Sequence, residues 1–87
     1  MLDQSVDISQ FLSGEKVKSW PSKDKFKEAI RYYFSTKVEP GKKYTEREIN
    51  ELFNKYHTFS DPALIRRELC DHGLLKRDKY GYQYWKD

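Results

Sequence analysis

The 87-residue chain has a single cysteine, Cys70, and only two histidines. One thiol cannot form an intramolecular disulfide, so a disulfide-framed secreted fold is excluded and a reducing compartment is favoured. Cys70 and His72 are two residues apart, so on a helix their side chains diverge by about 200°, and the second thiol of a usual zinc site is missing. We therefore expect neither a metal nor another cofactor.

Long apolar runs are also missing. No stretch approaches the roughly 20 apolar residues that span a bilayer, and the opening MLDQSVDISQ has neither the basic start nor the apolar core of a signal peptide. The chain has no glycine-rich phosphate loop, and neither histidine has an obvious nucleophile or carboxylate partner in sequence. We expect a cytoplasmic protein that is neither membrane-bound nor an enzyme.

Aromatic residues are plentiful, at 16% of the chain, although 36% of residues are charged. Each buried ring removes a large apolar area from water, so a chain of this length can still form one small core. We expect residues 1–10 to be a loose N-terminal segment or a short docking turn, followed by a single domain over residues 11–87.

Three helices follow from spacing and capping signals. An i, i+3, i+4 repeat predicts a first helix over about residues 23–36, with Lys25, Lys27 and Arg31 pointing away from its apolar stripe. The stripe consists of Phe26, Ala29, Ile30, Tyr33 and Phe34.

The second helix is predicted to begin at a capping box of Thr45 and Glu48. The third is predicted to begin at Asp61 as N-cap, with Pro62 in its first turn, and to end before Gly73. Ala63, Arg66, Arg67 and Cys70 would share its outer face.

Residues 74–77 and 82–86 read as paired strands joined by a turn at residues 78–81, and Lys43-Tyr44 reads as a short third strand before the second helix. The order is helix, short strand, capped helix, capped helix, hairpin. This order predicts an α+β fold of the winged helix-turn-helix type, with the third helix as recognition helix and the hairpin as wing.

The chain also resembles a bacterial domain family of unknown function over about residues 11–85. The resemblance rests on FLSGEKVKSWPSK, VEPGKKYTEREINELFNKYH, DPALIRRELCDHGLLKR and GYQYW. That family occurs alone and fused behind ArsR-type winged-helix DNA-binding domains in transcriptional regulators. The resemblance implies a winged-helix domain associated with such regulators, but it brings no established chemistry, because a fold does not define a function.

Two groups of cations are candidate nucleic-acid contacts. Arg66 and Arg67 on the third helix could contact guanine edges or phosphates in a major groove. The alternative is that one of them, and Arg66 first, pairs with a carboxylate of the second helix such as Glu46 or Glu48.

The wing residues Lys76, Arg77 and Lys79 could rest on phosphates, or could simply keep an exposed edge strand from aggregating. A second basic region, which includes Lys23, Lys42 and Lys43, is more readily explained as a solvated face. The hairpin aromatics divide into Tyr80, Tyr82 and Tyr84 on one side and Trp85 on the other. One of these sets should complete the core, and the pattern leaves open which.

Two functions fit these observations. The leading hypothesis is binding of double-stranded DNA by a bacterial transcriptional regulator. The alternative is a module that docks a protein partner or a second copy of itself. The electrostatics weaken the first hypothesis, because residues 44–75 hold four basic against six acidic residues. Glu68 and Asp71 lie on the candidate recognition helix itself, and such carboxylates repel phosphates unless a neighbour neutralises them.

Overall fold

The protein, described here over residues 6–87 of a computed structural model, has an α+β fold of three helices and two small antiparallel sheets. After a 3₁₀ turn at Ser9–Phe11, the elements are β1 (Leu12–Ser13), β2 (Lys16–Val17), α1 (Asp24–Ser35), β3 (Tyr44–Thr45), α2 (Glu46–Asn54), α3 (Pro62–Asp71), β4 (Lys76–Arg77) and β5 (Gln83–Trp85). From α1 onward the predicted order of helices and strands is confirmed, whereas β1 and β2 were not predicted.

The two predicted capping motifs, at the starts of α2 and α3, are confirmed. At α2 the Thr45 hydroxyl accepts from the Glu48 N–H at 3.1 Å, and the Glu48 carboxylate accepts from the Thr45 N–H at 2.9 Å. At α3 the Asp61 carboxylate accepts from the Leu64 N–H at 3.1 Å. These contacts occupy backbone donors that a helix start otherwise leaves unpaired.

The second sheet joins the segment before α2 to the C-terminal hairpin. Its strand order is β3-β5-β4, with Tyr84 of β5 opposite Tyr44 on one side and Arg77 on the other. The short third strand predicted before α2 is therefore present, and it begins at Tyr44 rather than Lys43. This topology is compatible with a winged helix.

The core forms where the three helices meet the sheet. Phe34 of α1 and Phe53 of α2 are fully buried and meet edge to face, with ring centroids 5.9 Å apart. Ile65 and Leu69 supply the buried side of α3. Arg31, expected to point away from the core, instead reaches α3, where it pairs with Glu68 at 3.1 Å. The aliphatic part of its side chain is largely buried, while its guanidinium forms the ion pair with Glu68.

The N-terminal strands pack against the turn between α2 and α3. Val17 forms a parallel bridge with His57, and its backbone bonds to Tyr56 and Thr58 at 2.8 and 3.0 Å. The sequence predicts that residues 1–10 are loose or form a short docking turn. Residues 1–5 lie outside the described part of the chain, and Ile8 packs against the core.

Candidate nucleic-acid interface

A groove of about 320 Å³ lies between α3 and the hairpin. Its helical wall is formed by Ala63, Arg66, Arg67, Cys70 and Asp71, and its other wall by Arg77 and Tyr84. The outer face of the third helix predicted from the 100° periodicity is therefore one wall of this groove. The groove brings three arginines together, which we call the arginine groove.

Arg66 is held in place by three partners. Its guanidinium pairs with Glu46 at 3.2 Å, donates to the Asn50 side chain, and lies over the Tyr84 ring at 5.6 Å from the centroid. The alternative in which Arg66 pairs with a helix-2 carboxylate is the arrangement found. Arg66 therefore links α3 to α2 and β5, and the carboxylate of Glu46 offsets part of its positive charge.

Arg67 and Arg77 are exposed on the two walls of the arginine groove. Neither guanidinium has an ion pair or a side-chain hydrogen bond among the interactions of residues 6–87. Each therefore presents a planar set of N–H donors that suits the oxygens of a phosphate or the edge of a guanine.

The other two wing cations do not join this groove. Lys76 is bonded to Asp87, and because neighbouring residues in a strand point to opposite faces, it lies on the side of β4 away from Arg77. Lys79 lies in the hairpin turn, with its ammonium 5.0 Å from the centroid of the Tyr80 ring. The predicted five-residue set thus separates into a groove triplet and two outlying lysines.

The two α3 carboxylates that would repel a phosphate, Glu68 and Asp71, differ in their surroundings. Glu68 is paired with Arg31, and its side chain is only 23% exposed. Asp71 is exposed and lines the arginine groove. Arg31 therefore offsets the repulsion that Glu68 would exert on a phosphate, whereas no ion pair among the described residues offsets the repulsion by Asp71.

Cys70 forms part of the helical wall. Burial raises the pKa of its thiol more than nearby Arg77 lowers it. The thiol is therefore protonated at neutral pH, and it contributes a small neutral surface rather than a charge. Within residues 6–87 no group of three or more His, Cys, Asp or Glu side chains could hold a metal ion.

The hairpin aromatics divide along the hairpin rather than between its faces, which corrects the sequence-based division. Tyr84 is 2% exposed, whereas Tyr80 and Tyr82 are 67% and 70% exposed. Gly81 has a φ of 72°, which interrupts the strand alternation, and the Asp78 carboxylate accepts from the Tyr82 N–H at 2.8 Å. The exposed rings stack on each other with centroids 5.8 Å apart.

Sequence reasoning missed two contributors to the site. Asn50 is a helix-2 residue with no charge pattern to single it out. Tyr84 was assigned only to the hairpin aromatics, because alternation cannot tell which tyrosine meets α3. Among the described residues no helix is both long and apolar enough to cross a membrane.

Together, the fold and the arginine groove define a small α+β domain that presents cations between its third helix and its C-terminal hairpin. The chain belongs to the family described as "uncharacterized protein conserved in bacteria (DUF2087)", whose sequence profile matches residues 16–86. Searches of curated proteins and of solved structures returned no match.

Proposed function

We propose that this chain is a winged-helix domain that binds double-stranded DNA as part of a bacterial transcriptional regulator. The observation that carries the proposal is the arginine groove, where the outer face of α3 meets a hairpin paired in the order β3-β5-β4. In a winged helix these two elements face DNA together, the helix in the major groove and the wing on the backbone. Arg67 is the base or phosphate contact from the helix, and Arg77 is the contact from the wing.

The charge distribution supports contact through a small area. The guanidinium groups of Arg67 and Arg77 are free to contact a phosphate, whereas that of Arg66 is already bonded to Glu46 and Asn50. Two available cations displace few counterions, so a single domain binds DNA weakly, and its log affinity falls with log salt with a slope of only about −2.

The test is a titration of the protein with fluorescently labelled duplex DNA at two salt concentrations. We expect Arg67→Ala to weaken binding by about tenfold and to lower the slope of log affinity against log salt by about 1. Arg47→Ala is the matched control, because Arg47 is also a helical arginine but pairs with exposed Glu51 on α2, outside the groove. Equal affinities of the wild type and Arg67→Ala at low salt would contradict the proposed mechanism.

A second function is favoured by one specific feature, the stacked pair Tyr80 and Tyr82. Exposed aromatic pairs are enriched at protein interfaces because they bury a large area at a low entropic cost. A domain that docks a protein partner or a second copy through this pair shows no response to duplex DNA at low salt and sediments as a larger species.

A further inference from the structure

We propose that the arginine groove is a phosphate seat, in which the Tyr84 hydroxyl donates to a phosphate held between Arg67 and Arg77. The inference rests on the proposed function for the source of that phosphate, the backbone of duplex DNA. A free phosphorylated small molecule would present the same chemistry, and the experiment below separates the two sources.

The hydroxyl of Tyr84 is the observation that points to a ligand. The residue is 2% exposed, and its hydroxyl has no hydrogen-bond partner among the interactions of residues 6–87. No fully buried side-chain oxygen of the described residues lacks a partner. The Tyr84 hydroxyl is therefore not fully enclosed, and Tyr84 is one of the residues that line the arginine groove.

The Tyr84 ring is fixed in place, which fixes the direction of its hydroxyl. Its backbone pairs with both Tyr44 and Arg77, and the Arg66 guanidinium covers its ring. The hydroxyl lies next to Gly81, 3.6 Å from where a Cβ on that glycine would be. A donor that is already oriented loses little entropy on binding, and an unpaired hydroxyl on a largely buried ring can donate a strong hydrogen bond to an anionic acceptor.

The groups around the groove select a phosphate over other ligands. Arg67 and Arg77 offer N–H donors only, and a phosphate offers several acceptor oxygens. Among the described residues, the exposed Asp71 carboxylate is the one acid on the groove walls, and it opposes any anion. We place the phosphate at the end defined by Tyr84 and Arg77, where both wall residues lie on paired strands.

Tyr84→Phe tests the seat, because it removes a hydroxyl without removing an intramolecular bond. Tyr82→Phe is the matched control, a hydroxyl deletion on the same hairpin outside the groove. The wild type and both variants are titrated with inorganic phosphate at constant ionic strength, and the side-chain Nε–H signals of Arg67 and Arg77 are followed by NMR. We expect saturable shifts of both signals that need about tenfold more phosphate in Tyr84→Phe, with Tyr82→Phe like the wild type and thermal stability equal in all three.

A parallel titration with duplex DNA separates the outcomes. Weaker duplex binding by Tyr84→Phe, alongside its weaker phosphate binding, supports a seat for the DNA backbone. Phosphate shifts without any duplex binding overturn the DNA source and leave a seat for a small phosphorylated ligand. Duplex binding that depends on Arg67 but is the same in wild type and Tyr84→Phe overturns the seat and leaves the proposed function standing.

Discussion

At the scale of single residues, His57 joins two helices through its ring. The Nδ1 atom lies 2.7 Å from the Phe53 carbonyl oxygen, and Nε2 accepts from the Asp61 N–H at 2.9 Å. One donor and one acceptor is the pattern of a neutral imidazole. The ring is 4% exposed and packs on Phe59 at 4.5 Å between centroids, so it fixes the α2–α3 turn that sets the angle of the candidate recognition helix.

We expect His57→Phe to destabilise the protein by about 1–3 kcal/mol, since it keeps an aromatic ring but leaves the Asp61 N–H without its acceptor. It also removes one hydrogen bond to the Phe53 carbonyl, which still accepts from the Tyr56 N–H at 2.9 Å. The measurement is the free energy of unfolding from urea denaturation. His72→Ala is the control, because the side chain of His72 is 49% exposed and its change should stay below about 0.5 kcal/mol. Equal losses in the two variants would show that the hydrogen bonds of the His57 ring are not important to stability.

Single residues also show where sequence reasoning reaches its limit. The arginines of the Arg66-Arg67 pair differ in role although they are neighbours, because 100° of helical rotation turns one toward Glu46 and the other toward solvent. The sequence could name the pair and its carboxylate alternatives. It could not predict the pairing of Arg31 with Glu68, which depends on how α1 crosses α3.

At the scale of elements, local signals were the reliable ones. The caps of α2 and α3 depend on residues three positions apart, and both were predictable. The pairing of β1 with β2 is also local, but its docking on the α2–α3 turn was not predictable, because that docking depends on the bridge from Val17 to His57, forty residues away. Contacts of that kind leave no periodic pattern in a sequence.

The capping box of α2 makes a prediction about pH. The Thr45 backbone N–H donates to the Glu48 carboxylate and thereby lowers the pKa of that carboxyl below its ordinary value of 4.5. A lowered folded pKa means that the stabilisation is complete above the ordinary value and is lost as the pH falls through the folded one. We expect the stability advantage of the wild type over Glu48→Gln, measured by thermal denaturation, to be present at neutral pH and to vanish in acid. An advantage that persists below the folded pKa would mean that the charge of Glu48 contributes nothing to the cap.

At the scale of the whole molecule, the net charge of +3 says little about where DNA could bind. Contact with DNA depends on cations that lie on one face, are exposed and have no carboxylate partner. On the arginine groove these are Arg67 and Arg77, opposed by Asp71. The sequence sum over residues 44–75 overstates the acidity of this region, because it counts Glu68 but not Arg31, which lies outside the segment and pairs with Glu68.

Asp71→Asn tests whether DNA affinity depends on the charges of the arginine groove or on the net charge of the protein. The substitution removes the opposing carboxylate and also relieves a negative charge at the C-terminal end of α3, where the helix dipole disfavours it. We expect duplex DNA to bind roughly threefold more tightly, with no loss of stability. Glu51→Gln is the matched control, because it raises the net charge equally but lies on α2 beside Arg47. Fluorescence titration at low salt checks both variants. An equal gain in both would mean that DNA responds to overall charge alone, whereas a gain confined to Asp71→Asn places the duplex on the arginine groove.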